Sequence, residues 1–227
     1  MQFLEWSLAG LRSARRVYVD AARGHRITLF PMVHVGEAAF FDKVFEDARG
    51  HDRVVTEGIG SSVSKRLTRA YRWGLPARLG LVVQPRFEGG HGQVVRGDLD
   101  PDAFEALWRR APFRERALFE LGAAGFGLWS RVAASRAFLG KRLSTSDLTD
   151  RETILSWSPR NARLLDALYR ERDAVLWQTI QRLCDKADAP LSIAVIFGAG
   201  HMGTLSHALI EDGFQPVESA WMTVFGP

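Results

Sequence analysis

Three residues able to bind an ion or move a proton each follow an apolar, strand-like run. His34 follows Arg26-Ile-Thr-Leu-Phe30-Pro-Met-Val33, and Glu57 follows Arg53-Val-Val-Thr56. His201 follows Ser192-Ile-Ala-Val-Ile-Phe197 and the turn Gly198-Ala-Gly200. Imidazole and carboxylate groups at such strand ends can converge on one ion or one substrate atom, because ligands of open α/β sheets bind at the carboxyl ends of the strands. Singly each has a mundane reading: His34 as a satisfied core histidine, Glu57 as a turn or helix-cap acid, His201 as an incident of a glycine turn. Their recurrence at equivalent strand ends favours a shared site. Two charged residues join the set. Asp98 lies just beyond a short strand pattern, Gln93-Val-Val-Arg-Gly97, where turn chemistry accounts for it equally well. Arg172 takes an apolar place in the stripe Leu165, Leu168, Val175 or Leu176, Thr179 or Ile180, and Leu183. A guanidinium facing inward requires a carboxylate or an anionic ligand, unless the stripe rotates and lets it snorkel.

The elements that must position these residues are legible around them. Residues 16–20 and 26–30 read as a hairpin around a turn at Gly24. Phe40, Phe41, Val44, Phe45 and Ala48 line one face of an amphipathic helix over 37–49. Strand, helix and strand in roughly 30 residues form a βαβ unit, whose parallel strands are usually neighbours about 4.8 Å apart. His34 and Glu57 are then expected at one sheet edge. Residues 192–197, apolar but for Ser192, predict a strand covered on both faces, followed by a helix through Leu205, Leu209 and Ile210 to Gly213. Gly198, Gly200 and Gly203 also satisfy G-x-G-x-x-G, the dinucleotide fingerprint. A dinucleotide site needs further βα units and an acid at the next strand end, whereas only 24 residues follow Gly203 and the closing strand near 220–225 ends without an acid.

The middle of the chain reads as helical. A serine-capped helix is expected over 61–73, His91 at a loop tip, and a helix capped by Asp100 with Pro101 at its first position. Residues 113–143 have helical spacing interrupted by Gly122, Gly125 and Gly127, a pattern suited to an amphipathic cover over the sheet. The longest helix is expected from Ser158-Pro159 to about Lys186. At 227 residues the chain is most economically one domain, 1–227, of α/β class: a central mixed β-sheet with βαβ units flanked by helices, and a mostly helical segment at about 100–186.

Composition bounds the rest. A single cysteine, Cys184, leaves no internal disulfide framework or Cys-based zinc site, and its apolar helix argues for a buried thiol. The net charge of +4 comes mostly from arginine concentrated between Lys65 and Arg142. Solvated helix faces account for Arg66, Arg69, Arg72, Arg109, Arg110, Arg114 and Arg116; an anionic substrate or peripheral membrane contact is the functional alternative. No nucleic-acid motif accompanies them. The N-terminus lacks a basic region before its apolar residues, and 117–138 is interrupted by Glu120, Arg131 and Arg136, so neither a secretory nor a transmembrane segment is expected. Cytoplasmic location is the default expectation.

Pro31-Met-Val-His34-Val, the Val-Val-Thr-Glu57 strand, Glu171-Arg172-Asp173 and Phe197-Gly-Ala-Gly-His201-Met-Gly together resemble the TraB/PrgY/Tiki superfamily, whose bacterial members are also called TraB/GumN-like. The resemblance spans about residues 25–212. Gly198 to His201 matches the second G-x-x-H of the family. In the first, Pro31 replaces the glycine, and Arg172-Asp173 stands where the usual pair is Arg-Asn. The resemblance implies a central sheet flanked by helices with both histidine motifs brought together. Tiki members resemble metal-dependent peptidases using manganese- or cobalt-type divalent ions, and TraB and PrgY members are linked to shutting down peptide pheromones. By position, His34, Glu57 and His201 would be the metal and catalytic set, with Glu57 as ligand or general base and Asp98 as an additional candidate. Arg172 would hold an acid or a substrate carboxylate. Such an ion lowers the pKa of bound water and polarises a carbonyl. The expected activity is metal-dependent peptide hydrolysis; the alternative is a non-catalytic member that binds or sequesters a peptide or small ligand in the same cleft.

Overall fold

The computed structural model describes residues 2–62, 65–66, 69, 77–90, 92–144 and 162–227. A mixed seven-stranded sheet is flanked by helices on both faces. The strands are β1 (Leu4–Ser7), β2 (Gly10–Val19), β3 (Arg26–Met32), β4 (Val35–Gly36), β5 (Arg53–Thr56), β6 (Val82–Val83), β7 (Val94–Arg96), β8 (Ser192–Gly198) and β9 (Gln215–Phe225). The main helices of the described residues are α1 (Ala38–Arg49), α2 (Pro101–Arg110), α3 (Phe113–Ala133), α4 (Arg136–Leu143), α5 (Ala162–Asp185) and α6 (Met202–Glu211).

One edge of β2 carries β9 along its length, and the other is shared by β1 and β3, all antiparallel. Beyond β3 the order continues β8, β5, β7, and these four strands are mutually parallel. β4 and β6 pair separately. Ile193, Val195 and Phe197 of β8 pack under α5 and α6, while Ala194 and Ile196 pack under α1. Both faces of β8 are therefore apolar because both are covered.

That position of β8 corrects one expectation. β3 and β5 are parallel and joined by α1, as the βαβ pattern requires, yet β8 lies between them. His34 and Glu57 therefore follow strands two spacings apart, roughly 10 Å, with the His201 turn on the strand in the middle. The preference for sequence neighbours yields to burial: a strand apolar on both faces is best satisfied in the sheet interior, and the β3–α1–β5 crossover leaves room for it.

Several elements form as their sequences dictate. The buried residues of α1 are Phe40, Phe41, Val44, Phe45 and Ala48, the expected face. Asp100 caps α2, accepting from the N–H groups of Asp102 and Ala103, with Pro101 at the first turn. β9 is longer than the closing strand expected near 220–225. α3 runs unbroken through Gly122, Gly125 and Gly127, where a break was expected. Interior glycines cost a helix about 1 kcal/mol each without forbidding it. The described residues between 100 and 186 are mostly helical, comprising α2 to α5. Most of the helix expected over 61–73, His91, and the expected helix start at 158–159 lie outside the described residues. Among the described residues no helix is long and apolar enough to cross a membrane.

Candidate functional site

The parallel strands end level with one another. Met32 pairs with Gly198, Ile196 with Thr56, and Thr56 with Arg96. The residues just beyond, His34, His201, Glu57 and Asp98, therefore occupy one carboxyl edge in that order across the sheet. Hydrophobic burial pins the acid-bearing ends. Ile59 and Leu99, close behind Glu57 and Asp98, are buried with Phe104 and Trp108 of α2 and Leu168 of α5. A Cβ on Gly97 would lie 2.3 Å from Val55 Cγ1 and 3.0 Å from Leu176 Cδ1, so only glycine lets the chain pass this close before Asp98.

Arg172 of α5 reaches this edge and joins its two acids. Nε donates to Asp98 Oδ1 and Nη2 to Asp98 Oδ2, each at 2.9 Å, and Nη2 also donates to Glu57 Oε1 at 2.5 Å. Asp98 is fully engaged, since its oxygens accept the N–H groups of Leu99 at 2.8 Å and Gly58 at 3.0 Å as well. Glu57 Oε2 accepts the Gly198 N–H at 2.7 Å, tying β5 to β8. Of the open readings of Arg172, pairing with protein acids is the one realised; its guanidinium also lies 5.5 Å over the Phe197 ring.

Electrostatics follow from this packing. Burial pushes the Glu57 carboxyl up, but Arg172, His34 and His201 pull it down further, to about 2. Burial would lower the Arg172 pKa, and Glu57 and Asp98 more than offset it. His34 is exposed between β3 and β4, so its reading as a core histidine falls; its carbonyl accepts the Gln84 N–H at 2.9 Å. Its influence on Glu57 puts it in the same electrostatic neighbourhood.

His201 differs from expectation. Read singly it is an incident of a glycine turn, yet it is only 2% exposed. Its ring stacks on Tyr169 with centroids 4.7 Å apart and meets Phe197 edge-on at 4.9 Å. Its Nδ1 lies 2.5 Å from Asp173 Oδ1. A Cβ on Gly198 would stand 3.1 Å from Glu57 Oε2 and 3.7 Å from His201 Cδ2, so the bare glycine leaves room where the carboxylate and the imidazole edge meet. A Cβ on Gly200 would stand 3.1 Å from the Tyr169 hydroxyl. Sequence reading gave Tyr169 and Asp173 no role of their own. The signal was their spacing of four on α5, bracketing Arg172 within one turn.

The chemistry of the donors suits a divalent ion in part. Glu57 is held ionised, and His201, with Nδ1 bound to a carboxylate, has the partner that metal-bound histidines commonly have. Their placement is less suitable: both oxygens of Glu57 and both of Asp98 are engaged. Among the described residues no three His, Cys, Asp or Glu side chains are gathered as a group able to hold a metal. A phosphate at the glycine turn fares no better, because the Gly198 N–H it would need is given to Glu57. Cys184 is buried among Ile180, Leu209 and Phe214, and burial pushes its thiol up to about 11, which removes it as a nucleophile. No protein-family model matches the chain, and no curated protein matches it significantly.

Proposed function

We propose that the chain is a hydrolase of the TraB/PrgY/Tiki type, acting on peptide bonds at the carboxyl edge of the sheet. The observation that carries the reading is the position of Glu57, bonded to Arg172 and Gly198 and held near pKa 2 partly by His34 and His201. Two imidazoles, after β3 and β8, and a guanidinium from α5 thus act on the carboxylate that follows β5. A carboxylate this acidic is a poor proton acceptor at neutral pH, which favours an electrostatic or ligand role for Glu57 over that of general base. The proton work falls to His201. When Asp173 accepts its Nδ1–H, the neutral ring keeps a lone pair at Nε2. Nε2 takes a proton from a water whose oxygen bonds to the peptide carbonyl carbon, and returns it to the amine as the C–N bond breaks. Arg172 holds Glu57 in place, and the exposed His34 is accessible to substrate. A manganese- or cobalt-type divalent ion, which the resemblance implies at His34, Glu57 and His201, has no gathered ligand set among the described residues, and at Nε2 it would displace the base, so this proton transfer uses none.

The second reading, a non-catalytic member that binds a peptide or small ligand at the same edge, is favoured by the engagement of both Glu57 oxygens. One experiment separates the two. The purified protein is incubated with a quenched-fluorescent peptide library, with and without manganese. Cleavage supports the hydrolase, binding without cleavage supports the second reading, and neither removes both.

A further inference from the structure

Within one turn, α5 delivers Tyr169, Arg172 and Asp173 to the site. Two of them touch the same imidazole from different directions. Tyr169 lies against the face of the His201 ring, with planes 24° apart, while Asp173 lies at Nδ1. From β8, Phe197 meets the ring at 90°. A ring held this way has one favoured orientation: a half-turn about Cβ–Cγ would exchange Nδ1 with Cδ2, abandon Asp173 and set a C–H against its carboxylate. An unbound neutral imidazole in water prefers its hydrogen on Nε2. A carboxylate at Nδ1 selects the opposite tautomer, because it accepts and cannot donate.

We propose that Asp173 and Tyr169 are positioning residues of His201: Asp173 keeps the hydrogen on Nδ1 and the lone pair at Nε2, and Tyr169 fixes the ring plane. The inference deepens the hydrolase reading, and rests on it only in taking His201 as the working group. Gly200 belongs to the same device, since a Cβ there would crowd the Tyr169 ring at 3.2 Å from Cε1.

The test needs no substrate. Protein labelled with 15N-histidine is examined by two-bond 1H–15N spectra in alkaline buffer, the His201 signals being identified by their loss in His201→Gln. The expected result is the Nδ1–H tautomer at His201 in the wild type and loss of that preference in Asp173→Asn, whose amide can donate as well as accept. Asp173→Leu should revert to Nε2–H, and Tyr169→Ala should give averaged shifts. An Nε2–H tautomer in the wild type overturns the proposal even where a variant fails to fold, and so does a spectrum unchanged in a folded Asp173→Leu. In the peptide-library assay Asp173→Asn should lose about 10–100-fold in turnover, the usual loss when a histidine's supporting partner is altered. Absence of any wild-type peptide cleavage ends the hydrolase reading and leaves the spectroscopic outcome to decide the positioning roles.

Discussion

Arg172 grips Asp98 through two parallel hydrogen bonds of 2.9 Å each, and the Asp98 side chain has no exposed surface. A buried carboxylate bound this way depends on its cation. Arg172→Met should therefore cost roughly 3–5 kcal/mol in urea unfolding at neutral pH, because it strands Asp98 and Glu57 together. Arg172→Lys should recover only part of this, since an ammonium cannot reproduce the planar fork. A variant as stable as wild type would show that the pairing is energetically idle.

Glu57 makes stability depend on acid. Its folded value of about 2 lies below the ordinary 4.5. The contribution is therefore fully present above about pH 4.5 and is lost as pH falls toward 2. A shift of this size corresponds to on the order of 3 kcal/mol. The stability difference between wild type and Glu57→Gln should be large at pH 6 and nearly vanish near pH 2. A gap that does not change with pH would contradict it.

The three glycines of the turn should behave differently. Gly198→Ala presses on Glu57 Oε2 and Gly200→Ala on the Tyr169 ring, whereas a Cβ on Gly203 meets nothing within 4 Å. The first two should lower the melting temperature and disturb His201 resonances. Gly203→Ala, inside α6, should be neutral or stabilising by up to about 1 kcal/mol. Equal effects at all three positions would mean that the turn tolerates or rejects side chains for reasons unrelated to the site.

Much of this was legible in the sequence because it was local. The apolar periodicity of α1, the cap at Asp100 and the two-sided apolar run of β8 each depend on neighbours a few residues away. The placement of His34, Glu57, Asp98 and His201 at strand ends follows from the same short patterns. The insertion of β8 between β3 and β5 was not legible, since it joins segments far apart in the chain and their lengths and composition are compatible with either order. Arg172 showed itself as a misplaced charge in an apolar stripe, but its partners come from the ends of two other strands. Burial of His201 was hidden for a similar reason: Tyr169 and Asp173 approach from another helix, and no pattern within Gly198 to Gly203 reports them.

Metal content is a separate question from catalysis. After incubation with manganese or cobalt and desalting, stoichiometric metal in wild type and its loss in His34→Ala/His201→Ala would support a shared ion. Equal retention in both proteins would place any bound metal elsewhere. His201→Ala should also lower stability, since it removes a ring packed against Tyr169 and Phe197 and strands Asp173.

Glu57 is where the charges of the site meet, so its replacement tests the central claim most directly. Glu57→Gln keeps the shape but offers one acceptor oxygen, to Arg172 or to the Gly198 N–H and not to both, while removing the charge on which Arg172, His34 and His201 act. Turnover of the quenched-fluorescent peptide library should be measured for wild type and Glu57→Gln at equal folded concentration, with and without manganese. The expected result is cleavage by wild type that falls at least about 100-fold in the variant, as when a preorganised electrostatic group is removed. Cleavage by the variant at the wild-type rate, or none by wild type under either condition, would contradict a hydrolytic site built on Glu57.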